Sequence, residues 1–240
     1  LSFVFVMIIM AQSSAERILE VIEEEPTLKN KENTIKEVKD GSIKFENVSF
    51  RYSDEQDENT YALEDINLDI KEGDYVVLEV SDHQLCDVKD FKTNVSVLTN
   101  IYPVHLDFHD SFDRYKMMKK KIFAHHSPSD LAIINRDNEE AMHLTEDILS
   151  SKEYFSREQK EKVYLDNGQI YYDGEPVIST EEILLKGNHN YENVMAAILA
   201  VKACGVSTES ICKVLKSFKG VEHRLEYVDT IDGVLYYNDS

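Results

Sequence analysis

Apolar and polar residues change rhythm several times along the chain, and each change predicts an element. Ile18, Leu19, Val21 and Ile22 follow the cap candidates Ser13 and Ser14, which predicts a helix that Pro26 stops. The apolar run Leu1 to Met10 ahead of it reads either as a buried strand or as the last turns of a longer membrane helix. Lys29 to Asp40 is polar and reads as a linker. Ile43, Phe45, Val48 and Phe50 suggest a strand broken by a turn-like Glu46-Asn47. Leu63, Ile66, Leu68 and Ile70 suggest another, after an acidic loop from Ser53 to Asn59. Tyr75 to Val80 is a continuous apolar-rich strand interrupted only by Glu79. Val95 to Thr99 and Leu131 to Ile134 are further strands. Between them Phe112, Tyr115, Met118 and Ile122 recur at helical spacing within Ser111 to His125. Two hairpins are written around Asp166-Asn167-Gly168 and Asp232-Gly233. Helices are expected at Asn190 to Cys204 and at Ser207 to Phe218, with Ser207 as a cap. Strands alternating with helices predict an α/β fold.

Composition narrows the function classes. The chain has 240 residues, enough for one large domain or two small ones, with 42% hydrophobic and 30% charged residues, as in globular proteins. A formal net charge of −20 argues against nucleic acid as a partner and against an anionic membrane surface. A nucleotide is not excluded, because a local cradle can hold phosphates in an acidic protein. Cys86, Cys204 and Cys212 are scattered and odd in number, which suggests no disulfide framework and a cytoplasmic setting. No signal peptide is evident at Leu1, and the Leu1 to Met10 run is shorter than the roughly 20 residues that span a bilayer.

Candidate chemistry sits near expected strand ends, where α/β sheets gather ligands. Glu79 lies at the end of an apolar strand, a costly place for an unpaired carboxylate. His105 falls in a loop after Pro103, and Lys119 in the helix that follows. One Glu, one His and one Lys there would suit a magnesium and phosphate site. The same residues also read as a salt-bridged Glu79, a loop histidine and one of a solvated cluster with Lys116, Lys120 and Lys121. His105, His109 and Cys86 offer a zinc alternative, but structural zinc asks for four well-spaced ligands. Cys86 reads as packed rather than nucleophilic. No G-x-x-x-x-G-K-[ST] loop occurs in the chain.

Five segments in order carry a resemblance. They are LEVSDHQL at Leu78 to Leu85, LTNIYPVHLDFH at Leu98 to His109, YKMMKKKIF at Tyr115 to Phe123, LKGNHNYENVMAAI at Leu185 to Ile198, and GVEHRLEYV with YYNDS near the end. From about Asp74 onward the chain resembles the Mur ligase family, and the last two pieces resemble its D-glutamate-adding branch. The resemblance implies a partial central domain over 74–220, a mostly parallel sheet with flanking helices and a β-hairpin, followed over 221–240 by the start of a C-terminal domain. It implies an ATP-dependent amide ligase with magnesium, acting on UDP-MurNAc-L-Ala and D-glutamate. Glu79, His105 and a carbamylated Lys119 would hold magnesium. Ser81, Gln84 and Asn100 would line the muramoyl-alanine end, and Asn190 and Asn193 the adenine, although Asn190 also reads as a helix cap. Arg224, beside His223, would sit at a domain hinge, and Asp239 would begin a loop meeting ATP and D-glutamate. The chain departs from the family pattern at Asp82, where the second serine of a pair is usual, at Val104, where an acid is usual, and in lacking the phosphate loop. A monomer is expected, unable to turn over by itself.

Residues 1–73 resemble a different family. Ala15 to Ile18, IKFENVSFRY at Ile43 to Tyr52 and LEDINLDIKEG at Leu63 to Gly73 are similar to the junction of an ABC exporter. That implies the end of a membrane or linker helix over 1–26 and the first strands of a nucleotide-binding domain over 27–73. Tyr52 would stack on adenine there, or is an ordinary strand-end tyrosine. Membrane contact is expected only if this segment acts as such a junction. A third reading is a non-catalytic chimera joined within KEGDYVVLEV.

Overall fold

The computed structural model describes residues 2–25, 29–30, 34, 36–38, 40–52, 61–104, 106–221 and 226–238. The chain divides into two compact units, Leu1–Val77 and Leu78–Ser240.

The first unit holds helix α1 (Ser2–Ile22) and the antiparallel pair β1 (Ile43–Phe50) and β2 (Leu63–Ile70). α1 runs through Ser13 and Ser14, so neither caps it, and Leu1 to Met10 is helical from Ser2 rather than a strand. Among the described residues no helix is long and apolar enough to cross a membrane. The expected break at Glu46-Asn47 is a bulge instead. Asn47 takes a left-handed φ of 49° and the register shifts between Phe45 and Val48, yet the strand continues.

The second unit is built on a six-stranded sheet in the order β3-β4-β5-β6-β7-β8. Its strands are β3 (Val95–Leu98), β4 (Leu131–Asn135), β5 (Ser151–Ser156), β6 (Val163–Asp166), β7 (Gln169–Tyr172) and β8 (Glu175–Ser179). β3 to β6 pair in parallel; β6, β7 and β8 pair antiparallel. The Asn167-Gly168 turn has both residues left-handed, with φ of 48° and 77°, the two-residue hairpin geometry that Asn-Gly favours.

Helices cover both faces, as a parallel sheet requires. α6 (Asn188–Ala203) and α7 (Thr208–Leu215) lie on one face, where Val194, Met195, Ile198, Leu199 and Ile211 pack with Ile133, Phe155, Val163 and Ile170. On the other, α4 (Phe112–Lys120) and α5 (Glu139–Leu144) contribute Tyr115 and Ala141 to a cluster with Leu98, Ile101, Ala132 and Ile134. The alternation inside β4 makes this possible: Ala132 and Ile134 face one layer, Ile133 the other. Ser111 caps α4 by accepting from Arg114 N at 3.2 Å, and a 3₁₀ turn over Lys121–Phe123 continues it. Ser207 caps α7, as its sequence indicated. Two short helices, α2 (Asp82–Asp87) and α3 (Leu106–His109), pack against α4. An antiparallel pair, β9 (Glu226–Ile231) and β10 (Val234–Asn238), is turned by Asp232 and Gly233, both left-handed.

One expected strand is absent. Residues 74–80 are irregular, and Tyr75, Val76, Val77 and Leu78 are exposed, Val77 at 96%. An apolar run becomes a buried strand only when a neighbour pairs its N–H and C=O groups. Among the described residues the sheet ends at β3, and none of its strands extends to residues 74–80.

Candidate functional site

Among the described residues, chemistry-bearing side chains gather where α2, α3 and α4 meet. Ser81 starts α2 through a reciprocal cap: Gln84 N donates to Ser81 Oγ at 3.2 Å, and Ser81 N donates to Gln84 Oε1 at 2.9 Å. This S-x-x-Q pattern was legible in the sequence as a capping box. It fixes Asp82 and His83 in the first turn. Asp82 is 4% exposed and His109, which ends α3, is 1% exposed.

Asp82 is the hub. His109 Nε2 donates to Asp82 Oδ2 at 2.5 Å, His83 Nδ1 stands 3.2 Å from the same oxygen, and Lys119 Nζ lies 3.3 Å from Oδ1. Burial pushes the Asp82 carboxyl upward, but the His109 hydrogen bond and the Lys119 charge outweigh it, so the group stays ionised below the usual carboxylate range. Tyr115 closes one side with its ring edge-on to His109 at 5.5 Å, and its hydroxyl is pushed above its usual range by burial and then by the Asp82 charge. Lys119 Nζ also sits 5.6 Å from the Tyr115 ring centre.

The expected site residues are only partly brought together. Lys119 joins this cluster, 25% exposed, as an ion-paired ammonium. Glu79 is exposed on the irregular segment three residues before Asp82. Ser81 and Gln84 are engaged in capping α2, and Asn100 is exposed after β3. Asn190 does not cap α6. Gly187 does, at φ 105°, where an added Cβ would meet the His189 ring at 3.0 Å. Asn190 Nδ2 instead donates to Lys186 O at 2.9 Å, and Asn193 is exposed. Tyr52 is 63% exposed and meets Phe50 edge-on. His105, His223, Arg224 and Asp239 lie outside the described residues.

Sequence reasoning passed over a second polar cluster at the carboxyl ends of β4 and β5. Arg157 Nε donates to Glu192 Oε1 at 2.5 Å, Asn135 Nδ2 to Glu192 Oε2 at 3.4 Å, and Arg157 N to Asp137 Oδ2 at 2.7 Å. These residues are far apart in sequence, and only the sheet assembles them.

Comparison with known proteins decides the family. The model of the Mur ligase middle domain matches residues 26–201. The chain belongs to the Mur ligase family. It is 43% identical over 170 residues to UDP-N-acetylmuramoylalanine--D-glutamate ligase of Geobacillus sp. (strain WCH70), a match covering 70% of this chain and 38% of that protein. The Bacillus subtilis (strain 168) protein of the same name is 39% identical over 172 residues, covering 70% and 38%. Thus the chain spans about two-fifths of the length of these relatives. Among solved structures, MurF from Acinetobacter baumannii superposes with a TM-score of 0.53 at 22% identity, covering 62% of this chain and 34% of that one. That likeness shows the Mur ligase α/β fold. The matched stretch crosses the unit boundary at Val77 and Leu78 and takes in all of residues 27–73, so these comparisons lend the ABC-exporter resemblance no support.

Proposed function

We propose that residues from about 74 to 220 are the central-domain portion of an enzyme that joins D-glutamate to UDP-MurNAc-L-Ala at the expense of ATP, with 221–240 opening its C-terminal domain. The observation that carries this reading is the 43% identity to a ligase of that name, spread over 170 residues. The parent reaction transfers a phosphoryl group from ATP to the alanine carboxylate, and the D-glutamate amine then attacks the acyl phosphate. Such transfer depends mainly on positioning and on neutralising charge. Ser81, Gln84 and Asn100 would then lie near the muramoyl-alanine end, and Asn190 and Asn193 near the adenine.

Magnesium belongs to that parent reaction, but the described residues do not fit it through Lys119. Magnesium takes oxygen ligands. An ammonium supplies none, and a carbamate on Lys119 would set a second anion beside buried Asp82, 3.3 Å from the present nitrogen position. Glu79 is the one expected ligand that offers a carboxylate among the described residues.

The 240 residues also contain no glycine-lysine phosphate loop, the structure that lines backbone N–H groups along a nucleotide's phosphates. The chain by itself therefore catalyses no amide formation. An assay with ATP, magnesium, UDP-MurNAc-L-Ala and D-glutamate tests this. We expect no dipeptide product above a protein-free control; amide product formed by the purified chain would overturn the reading.

A further inference from the structure

We infer that Asp82, His83 and His109 form a binding site for a zinc-like divalent transition-metal ion, using none of the residues that the ligase resemblance assigns to magnesium. The inference does not rest on the ligase reading. Three ligand atoms, Asp82 Oδ2, His83 Nδ1 and His109 Nε2, all lie within 4.8 Å of one another. Zinc bonds to imidazole nitrogen and carboxylate oxygen are about 2.0–2.2 Å, so neighbouring ligands in a tetrahedron stand roughly 3.3–3.6 Å apart. Asp82 and His83 are already 3.2 Å apart, and Asp82 and His109, at 2.5 Å, need to open by about an ångström for the ion to enter. Two imidazoles and one carboxylate form a borderline donor set, which suits zinc and its neighbours better than magnesium.

The surroundings hold the ligands in place. The capping box at Ser81 and Gln84 fixes the turn that carries Asp82 and His83. Phe108 lies tilted against His83 with ring centres 4.1 Å apart and meets His109 edge-on at 4.8 Å, and Tyr115 also meets His109 edge-on. Lys119 pairs with Oδ1 and leaves Oδ2 to the imidazoles, so the carboxylate can bridge the ammonium and the ion. His83 is 43% exposed at its side chain, which gives the ion an entrance from solvent and room for a water in the fourth position. Sequence spacing argues against zinc at His105, His109 and Cys86; the fold instead sets Asp82 and His83 beside His109.

The test is a zinc titration of the full chain against a chromophoric chelator at neutral pH in millimolar magnesium. We expect one zinc per chain, an affinity weakened at least about tenfold by His83→Ala, and no change in His143→Ala, an exposed histidine elsewhere. His83→Ala leaves the buried Asp82, His109 and Lys119 contacts intact, so it should fold. On the unaltered chain, cobalt(II) should give the intense visible bands of a four-coordinate nitrogen and oxygen site. Zinc held equally by His83→Ala, no zinc held in competition with the chelator, or only the weak bands of hydrated cobalt would overturn the site.

Discussion

Two antiparallel strand pairs, both with alternating apolar residues, meet different fates. In the pair β1 and β2, Phe45, Val48, Phe50, Leu63 and Leu68 remain 37–51% exposed, whereas in the pair β6 and β7, Val163 and Ile170 are fully buried. Alternation of apolar residues is enough to specify a strand and its partner. It does not specify what covers the apolar face. β6 and β7 extend a sheet of six strands and lie under α6, while β1 and β2 form a sheet of only two. An isolated two-stranded pair is marginal in water, because its backbone bonds must offset chain ordering without help from burial. The unit built on the six-stranded sheet is thus the part of the chain that supports itself.

Replacing a buried ring should break that body while its exposed counterpart is spared. Phe155→Ala, at a fully buried position under α6, should cost about 3–5 kcal/mol in urea unfolding followed by circular dichroism. Phe50→Ala, with its ring half exposed, should change the same transition by no more than about 0.5 kcal/mol. Equal losses would erase the distinction between the two regions.

A smaller effect should appear with acid. His126 is buried, with Nε2 3.0 Å from Ser96 Oγ and Nδ1 2.7 Å from Ser150 Oγ. Burial lowers its pKa, the Asp130 charge opposes this, and the Lys92 charge adds to it. The unfolded chain takes up the proton first, so stability is full above the ordinary value of 6.5 and falls as pH drops below it. His126→Gln should flatten that slope in unfolding measured between neutral pH and mild acid; an unchanged slope would assign it to other groups.

A further effect of acid belongs to Asp130. Its carboxylate accepts from Ser127 N at 2.6 Å and Ser127 Oγ at 2.7 Å, with Lys92 at 3.1 Å, and its pKa is lowered to about 2. A depressed carboxylate contributes stability above its unfolded value of 3.8 and loses it as pH falls through about 2. Asp130→Asn should remove that part of the acid transition alone, and equal losses of stability between about pH 4 and 2 in the two chains would contradict the assignment.

What the sequence disclosed follows from the range of the forces involved. Turns and caps are local, so Asn167-Gly168, Asp232-Gly233 and Ser207 could be read directly. The strand expected at Tyr75 to Val80 failed because an apolar run reports a wish for burial, not a partner. Ser13 and Ser14 resembled caps, yet α1 passes through them, since serine only weakly disfavours a helix interior. The candidate site was half legible. Lys119 and the departure at Asp82 stood out, but His83 gave no signal, because its nearness to His109 comes from the meeting of α2 and α3. The polar cluster around Glu192 was hidden for the same reason.

Limited proteolysis of the full chain, with fragments identified by mass, tests most directly whether the sheet-centred body stands alone. The account predicts early cuts between Ala11 and Asp74 and a resistant fragment that begins near Leu78 and retains α6 and α7. Survival of Ala11 to Asp74 for as long as the sheet would contradict it.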